Sequence, residues 1–424
     1  RSTVSAGSYT TGLQIAFGCL TENNRVWNNK GELVNISEIS KSSGIVGYSK
    51  YEGATKEPVT HLNPPTKKQC VKITTNSGKT IECSTDHPLY WSKSNYGSQP
   101  RNGSNLPEEE KRLLKKFGSN QFDNATRPFL KRAIFKKAEN INIGDQIGII
   151  DQVDIWQNKK MWEPRLVGLL VGDGSYGFDA TPVLSNCDKE INDFVYNNYD
   201  AVFESGHKTK CGRDYKETRI RGICKHLRKL GIYGQTKKKK RLPNNVHSYK
   251  KEDIIEFLSG LFDADGYYSK SNRAVVTLAS VSEKMLSEVQ LLLIKFGVHS
   301  NIKEIKPHKS SPKSIQSYYR LSIKDNRSLY KFLSIIKPLP KYKIKAQQWM
   351  LKEIKKHNSE VSKSPFTRGL RFERIVSKTY VGKKYVYNLT ADKTNTYVAE
   401  GIVTHNTGGS GGEDMIGLEE LYRK

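Results

Sequence analysis

The stretch LSGLFDADG at 258–266 restates, with changes, an earlier one, LVGLLVGDG at 166–174. Gly168 and Gly172 lie four apart and share one helix face, as do Gly260 and Ala264. Small residues at that spacing let two helix backbones approach closely. Gly174 and Gly266 suit C-cap positions, where each helix would stop. Asp173 and Asp265 then fall side by side at the ends of two adjacent helices. Two carboxylates so close repel each other unless a divalent cation sits between them. A Mg²⁺ held there suits phosphodiester hydrolysis, with metal clamping the attacking and leaving oxygens. A membrane helix pair is excluded, because the apolar runs are too short.

Working outward, each copy leads into strands and then a helix ending near a glycine: ICKHLRKLGIYG (223–234) in the first, MLSEVQLLLIKFG (285–297) in the second. The repetition implies a duplicated unit with pseudo-two-fold symmetry, which suits a pseudo-palindromic duplex. Helical periods cover 164–172, 221–230, 252–264, 281–296 and 326–336, with strands between. HKTKCGRDYKETRIRG (207–222) and YYRLSIK (318–324) alternate basic and other residues, putting charge on one face. Arg and Lys there can read base edges or phosphates.

The flanks of this α/β region are strand-like. CVKITTNSGKTIEC (70–83) is two alternating runs joined by Asn-Ser-Gly, a hairpin pattern. ENINIGDQIGIID (139–151) is a further strand, and strand character returns from 371 to 406. A β-rich unit is thus interrupted by an insertion. The first 18 residues are small and polar, and 407–424 are Gly-rich, then short and amphipathic. The polar, charged stretch 92–135 has no clear assignment.

The chain has 424 residues, room for two or three domains, and is 36% hydrophobic, enough for ordinary cores. Its net charge is +27, with Lys and Arg crowding 205–250 and 300–355. That balance points to a polyanion, first of all nucleic acid. The six cysteines (Cys19, Cys70, Cys83, Cys187, Cys211, Cys224) show no CxxC pairing, and no signal peptide precedes them. Zinc spacing is absent and a secreted disulfide framework is not expected, which makes a reducing cytoplasm the expected setting. No apolar run approaches the ~20 residues that span a bilayer, so no membrane partner is expected.

The edges of the β-rich unit carry a second chemistry. It begins at Gly18-Cys19 and ends at His405-Asn406-Thr407. A Cys can attack its preceding carbonyl and turn an amide into a thioester. A hydroxyl after the last Asn can take over the acyl group. The Asn amide can cyclise on its own carbonyl and cut the chain, with a neighbouring His moving protons.

Two family resemblances follow from these stretches. LSGLFDADG is a near match to the LAGLIDADG homing endonucleases, and LVGLLVGDG is a looser one that keeps the last Asp-Gly. That resemblance implies Asp173 and Asp265 as catalytic, Mg²⁺-binding acids, and two antiparallel sheets over the major groove of double-stranded DNA. KKKKRLP (237–243) resembles the segment bearing the family's catalytic lysine, which points to Lys240; Lys341 in KPLPKYK is the second-half candidate. GKTIECSTDHPLY (78–90) resembles the intein B block, with Ser84, Asp86 and His87. YVYNLTADKTNTYVAEGIVTHNT (385–407) resembles the joined intein F and G blocks.

The intein resemblance implies an all-β Hint horseshoe interrupted by the two-repeat endonuclease. It implies splicing by Cys19, His87, Thr407, Asn406 and His405, with no cofactor. The expected division is 1–18 N-terminal extein, 19–155 and 371–406 Hint unit, 156–370 endonuclease and 407–424 C-terminal extein. The partners are a DNA target and the host protein flanks, and a chain carrying both endonuclease halves is expected to act as a monomer. Three positions depart from the family. Ser84 stands where Thr is usual, and Asn388 and Asn395 replace an Asp and a His, which removes two proton carriers. A disulfide from Cys19 to Cys70 or Cys83 would block the first step. Joining Gly18 to Thr407 gives TGLQIAFGTGGSGGEDMIGLEELYRK, which looks like the interdomain segment of a phage terminase large subunit.

Overall fold

The computed structural model describes residues 18–49, 52–92, 134–177, 180–208, 214–270, 274–307, 317–357, 369–391 and 393–406. Residues 1–17, Thr407 and the rest of 407–424, Cys211, and nearly all of 92–135 lie outside the described residues. Helices α1 (Pro164–Asp173), α2 (Lys189–Asn198), α3 (Cys224–Lys229), α4 (Lys251–Ala264), α5 (Glu283–Ile294), α6 (Asn326–Ile335) and α7 (Lys341–His357) all belong to the insertion.

Outside it, the chain forms a large antiparallel sheet. The Asn-Ser-Gly turn joins strands Val59–Thr75 and Thr80–Ser84 as the alternation predicts, with Gly78 at φ +88. The long strand Leu370–Ala391 pairs with Val59–Thr75 along most of its length and with Gln146–Ile150 near its start. Leu20, right after Cys19, pairs with Cys83 on one side and Tyr387 on the other. At the far end of the sequence, Ile402–His405 pairs with Thr396–Ala399, and its Thr404 sits opposite Leu89. This topology draws Cys19, residues 84–89 and His405-Asn406 toward one end of the sheet. Its core buries Leu20, Val71, Ile73, Ile81, Leu89 and Tyr397, among others. Each fully buried aliphatic side chain contributes about 1.5–3 kcal/mol.

The insertion holds two four-stranded antiparallel sheets of the same connectivity. The first has the order Gly174–Ser175, Val183–Asn186, Asp214–Ile220, Ala201–Lys208; the second is Gly266–Ser269, Val275–Ser280, Tyr318–Ile323, Asn301–Ile305. The duplication is therefore helix, two strands, helix, two strands, helix. This corrects the repeat alignment. The counterpart of α5 is α2, and α3 answers to α6. Helix α2 escaped notice because its buried stripe is only Ile191, Asn192 and Val195 within a polar segment. Helix α7 was missed as well, although Lys343, Ala346, Met350 and Ile354 repeat at helical spacing on its buried side.

The charge on the sheet strands also differs from expectation. In Asp214–Ile220 both Lys216 and Arg219 are exposed, three positions apart, where the partner strand carries a bulge between Phe203 and Ser205. Arg219 is tied to Glu204 across the strands. The bulge breaks strict alternation and rotates the basic face.

Helices α1 and α4 meet as the small residues demand. A Cβ on Gly168 would stand 2.0 Å from the Phe257 carbonyl oxygen, and one on Gly260 2.2 Å from that of Arg165. Neither position tolerates any side chain at this spacing. Gly174 and Gly266 are needed for a different reason than a left-handed cap. Gly174 is extended (φ −80, ψ 147), and a Cβ there would clash with the Leu170 carbonyl, as one on Gly266 would with that of Phe262.

The two units share a third core. Trp27, Val46, Tyr48 and Val398 of the β-rich unit pack with Leu291 and Ile294 of α5. Lys295, at the end of α5, is buried and donates to the carbonyls of Gly31 and His247, each at 2.9 Å. Two carbonyl acceptors and the Trp156 ring at 4.3 Å replace the water that its ammonium loses. The second repeat is thereby seated on the β-rich unit.

Candidate active sites

At the chain junction, Cys19 is buried, and its backbone N–H donates to Ser84 Oγ at 2.9 Å. Ser84 N–H returns a bond of the same length to the Cys19 carbonyl. The Ser84 hydroxyl also bonds Asp86, which accepts from Lys68 Nζ at 2.8 Å. Burial pushes Asp86 up, but the bonds from Lys68 and Ser84 and the Lys68 charge outweigh it, holding the carboxyl below its usual range. Gly18 is left-handed (φ +79) and fits against His87 and Pro88. A Cβ there would stand 2.5 Å from Pro88 Cδ and 3.2 Å from His87 Nδ1. His87 is wholly buried, and burial pushes its pKa down to about 4, against the pull of the Gly18 backbone and Asp86. It is neutral at pH 7, with one ring nitrogen able to accept a proton. Its ring meets Tyr397 edge-on at 6.3 Å.

At the other junction, Asn406 is buried. Its N–H donates to the Asn395 carbonyl at 2.9 Å and its Nδ2 to the Ala391 carbonyl at 3.0 Å. The His405 ring packs on Phe135 at 4.6 Å between centroids, and burial lowers its pKa. Thr404, its chain neighbour, sits opposite Leu89, two residues past His87. Cys19, Cys70 and Cys83 are free thiols.

In the insertion, the α1 and α4 ends bring Asp173 and Asp265 together. A Cβ on Gly172 would lie 3.3 Å from Asp265 Oδ2. Burial raises the pKa of both carboxyls, and their mutual repulsion adds to it for Asp173. Asn186 Nδ2 holds Asp173 at 2.5 Å. Lys240 bonds the Gly172 carbonyl and lowers both carboxyls by its charge, while Lys237, Lys238 and Lys239 are exposed. Only Lys240 of that run reaches the pair. In the second half, Lys341 is exposed and Lys343 takes the place expected of it. Lys343 is buried, donates to the carbonyls of Phe262 (2.9 Å) and Asp263, and acts on both acids. Two lysines and two acids form a compact cluster whose oxygens suit a hard divalent cation. Among the described residues no group of three or more His, Cys, Asp or Glu side chains forms a metal cage.

A family model described as LAGLIDADG-like domain matches residues 252–337, α4 through α6. The fold is a β-rich antiparallel unit interrupted by an α/β insertion with two antiparallel sheets, and the second half of the insertion carries the LAGLIDADG-like match. Among curated proteins, the chain is similar to the ATP-dependent DNA helicase Hel308 of Methanocaldococcus jannaschii: 25% identity over 62% of this chain and 22% of that protein. It is also similar to the ribonucleoside-diphosphate reductase NrdEB subunit alpha of Bacillus subtilis (30%; 42% and 17%) and to a DNA polymerase of Thermococcus hydrothermalis (26%; 59% and 15%). The chain spans about a fifth of the length of these relatives. They are a helicase, a reductase and a polymerase rather than terminases. Among solved structures, a Ssp DnaB mini-intein variant covers 93% of this chain and 97% of its own at TM-score 0.30 and 8% identity. The gp41-1 intein covers 18% and 54% at TM-score 0.16 and 27% identity.

Within the β-rich unit, Cys19, Ser84, Asp86 and His87 stand together around the Gly18 peptide. His405 and Asn406 lie on the neighbouring strand end, and Thr407 is beyond the described residues. Asn395 has an exposed side chain in a left-handed turn (φ 53), and its carbonyl is the working group. Sequence reading missed Tyr397 and Lys343; the helical spacing of Lys343 with Ala346 and Met350 was the available signal. No helix among the described residues is long and apolar enough to cross a membrane.

The titrations give a pH prediction. Burial pushes the Cys19 thiol up to about 11, against the pull of Lys68. Roughly one molecule in ten thousand then carries the thiolate nucleophile at pH 7. Hydroxylamine-induced cleavage at Cys19 is expected to accelerate about tenfold per pH unit between pH 7 and 10. A flat profile would exclude attack by a free thiolate. His87 acts with the opposite window. Its depressed pKa contributes stability above pH 6.5 that is lost as pH falls toward 4.

Proposed function

We propose that the chain excises residues 19–406 and ligates Gly18 to Thr407, and that its insertion cuts double-stranded DNA at a specific site. The observation that carries the reading is the approach of Gly18-Cys19, Ser84, His87 and, through the pairing of Thr404 with Leu89, His405-Asn406 toward one end of the large antiparallel sheet. Cys19 Sγ attacks the Gly18 carbonyl carbon, and the former Cys19 nitrogen takes a proton as the amide becomes a thioester. Neutral His87 moves that proton, and Ser84 holds the Cys19 N–H in line. Thr407 Oγ then displaces the thiol and carries the N-terminal segment as an ester. Asn406 Nδ2 attacks its own carbonyl carbon, releasing Thr407 as a free amine. That amine attacks the ester carbonyl, leaving a peptide between Gly18 and Thr407. His405 serves proton transfer at Asn406.

For the insertion, Asp173 and Asp265 would hold Mg²⁺, which would neutralise their repulsion and supply Lewis-acid chemistry at the scissile phosphate. Lys240 and Lys343 oppose the rise that burial imposes on the acids and would place positive charge beside the phosphate. The host flanks and the DNA target are the partners.

The test is intact mass after incubation at neutral pH with reductant. An excised species ending at Asn406 with a ligated flank is expected; an unchanged mass overturns the splicing reading. Cleavage with Mg²⁺ of a host gene lacking the intervening sequence is expected, and its failure overturns the nuclease. Asn388 and Asn395 favour one variant of the reading. With two proton carriers missing, the ester intermediate is expected to accumulate before release.

A further inference from the structure

We infer that Glu57 is a positioning residue for the release step at Asn406, acting through the turn at 393–395; this rests on the splicing reading above. Strands Ile45–Ser49 and Gly53–Glu57 form a two-stranded ribbon apart from the main sheet. Its last residue, Glu57, is buried at 1% exposure. Among the described residues its carboxylate is met by hydrogen-bond donors and by no ion pair. Thr55 Oγ1 donates to Oε1 at 2.7 Å, and the Thr394 N–H donates to Oε2 at 3.0 Å. A buried carboxylate is costly unless such donors hold it, so the arrangement is tightly constrained.

The next peptide along is the one that matters. Asn395 is left-handed, and its carbonyl accepts the Asn406 N–H at 2.9 Å. Ala391, just before the turn, supplies the acceptor for Asn406 Nδ2 and is paired to Val59, two residues past Glu57. The segment that holds Asn406 at both its nitrogens is thus fixed by residues 57 and 59. The ribbon is pressed onto it elsewhere too. The Thr396 hydroxyl accepts from Tyr48 N–H (2.7 Å) and donates to the Tyr48 carbonyl (3.0 Å). A Cβ on Gly47 would lie 2.6 Å from Glu57 Cγ and 2.8 Å from the Thr396 carbonyl oxygen. Cyclisation needs the Asn406 backbone held still while its side-chain amide turns onto its own carbonyl. Glu57 fixes the orientation of the peptides that hold it. The Cys19 site is held farther along these strands, with Leu20 opposite Tyr387 and Ser84 opposite Cys70, by contacts that Glu57 does not make.

The test measures the two junctions separately in the full chain. E57A is expected to slow release at Asn406 on the order of ten- to a hundredfold, the scale of a misplaced reacting group. Hydroxylamine-induced cleavage at Cys19 is expected to stay within about twofold of the unmodified chain. E57Q keeps an oxygen for the Thr394 N–H, and the Thr55 hydroxyl can turn to accept from its amide, so it restores most of the rate. T55V, which removes only the second donor, falls between. Equal slowing at both junctions, release by E57A at the unmodified rate, or E57Q as slow as E57A would each overturn the inference. An unmodified chain that cleaves at neither junction is a separate failure, that of the splicing reading, and the inference falls with it.

Discussion

Replacing Asn406 with alanine leaves the C-terminal junction uncut, while hydroxylamine still releases the N-terminal segment at Cys19. The effect is expected to be complete because the reaction is intramolecular. Side-chain nitrogen and its own carbonyl lie in one residue, an advantage of about 7–11 kcal/mol over a bimolecular attack. No other side-chain amide is covalently placed to replace it. The Asn406 amide is buried and held by the Ala391 carbonyl, so water has poor access to the bond. Alanine removes one hydrogen-bonded group and leaves the Asn395–Asn406 backbone bond in place, so the fold survives. Mass analysis of the products decides it. Cleavage after residue 406 in N406A would show that another group cuts the chain, and the assignment of the release step would fail.

The second large effect lies in the insertion, where two readouts should move in opposite directions. D173N and D265N are each expected to abolish DNA cleavage while raising thermal stability. A metal's charge stabilisation amounts to several kcal/mol, so losing an anionic ligand costs about a thousandfold or more in rate. Stability rises because burial pushes both carboxyls above their usual range, and repulsion by Asp265 adds to it for Asp173. A group raised in this way contributes stability at low pH that is lost as it ionises. An amide never ionises, so the melting temperature at pH 7 goes up, by about 2–4 °C for each kcal/mol relieved. The gain should shrink as pH falls and the unmodified acids take up protons. Lowered stability in both variants would mean that the acids are held by partners rather than opposed by each other, and would remove the case for a metal between them.

Much of this was legible before any coordinates. The spacing of Gly168, Gly172, Gly260 and Ala264 dictated the helix contact, because a helix backbone approaches another closely only where Cβ atoms are absent or small. The Asn-Ser-Gly hairpin followed from its turn residues. Cys19, Ser84, His87 and Asn406 could be named because their chemistry sits in short local patterns. The repeat alignment went astray for a matching reason. Two helices ending in Leu-Gly and Phe-Gly look alike in sequence, yet one follows the fourth strand of its half and the other the second.

The sequence by itself determined the helix pair with its two acids, the hairpin, and the residue types at both junctions, since each rests on neighbours within about four positions along a helix or two along a strand. Only the tertiary structure decided that Lys343 rather than Lys341 reaches the acids, that α5 shares a core with the β-rich unit, and that Glu57 braces the turn holding Asn406. Those depend on contacts between segments far apart in sequence, 81 residues from Lys343 to Phe262 and 337 from Glu57 to Thr394. Pairing at that distance is set by which surfaces fit together, which no local period encodes.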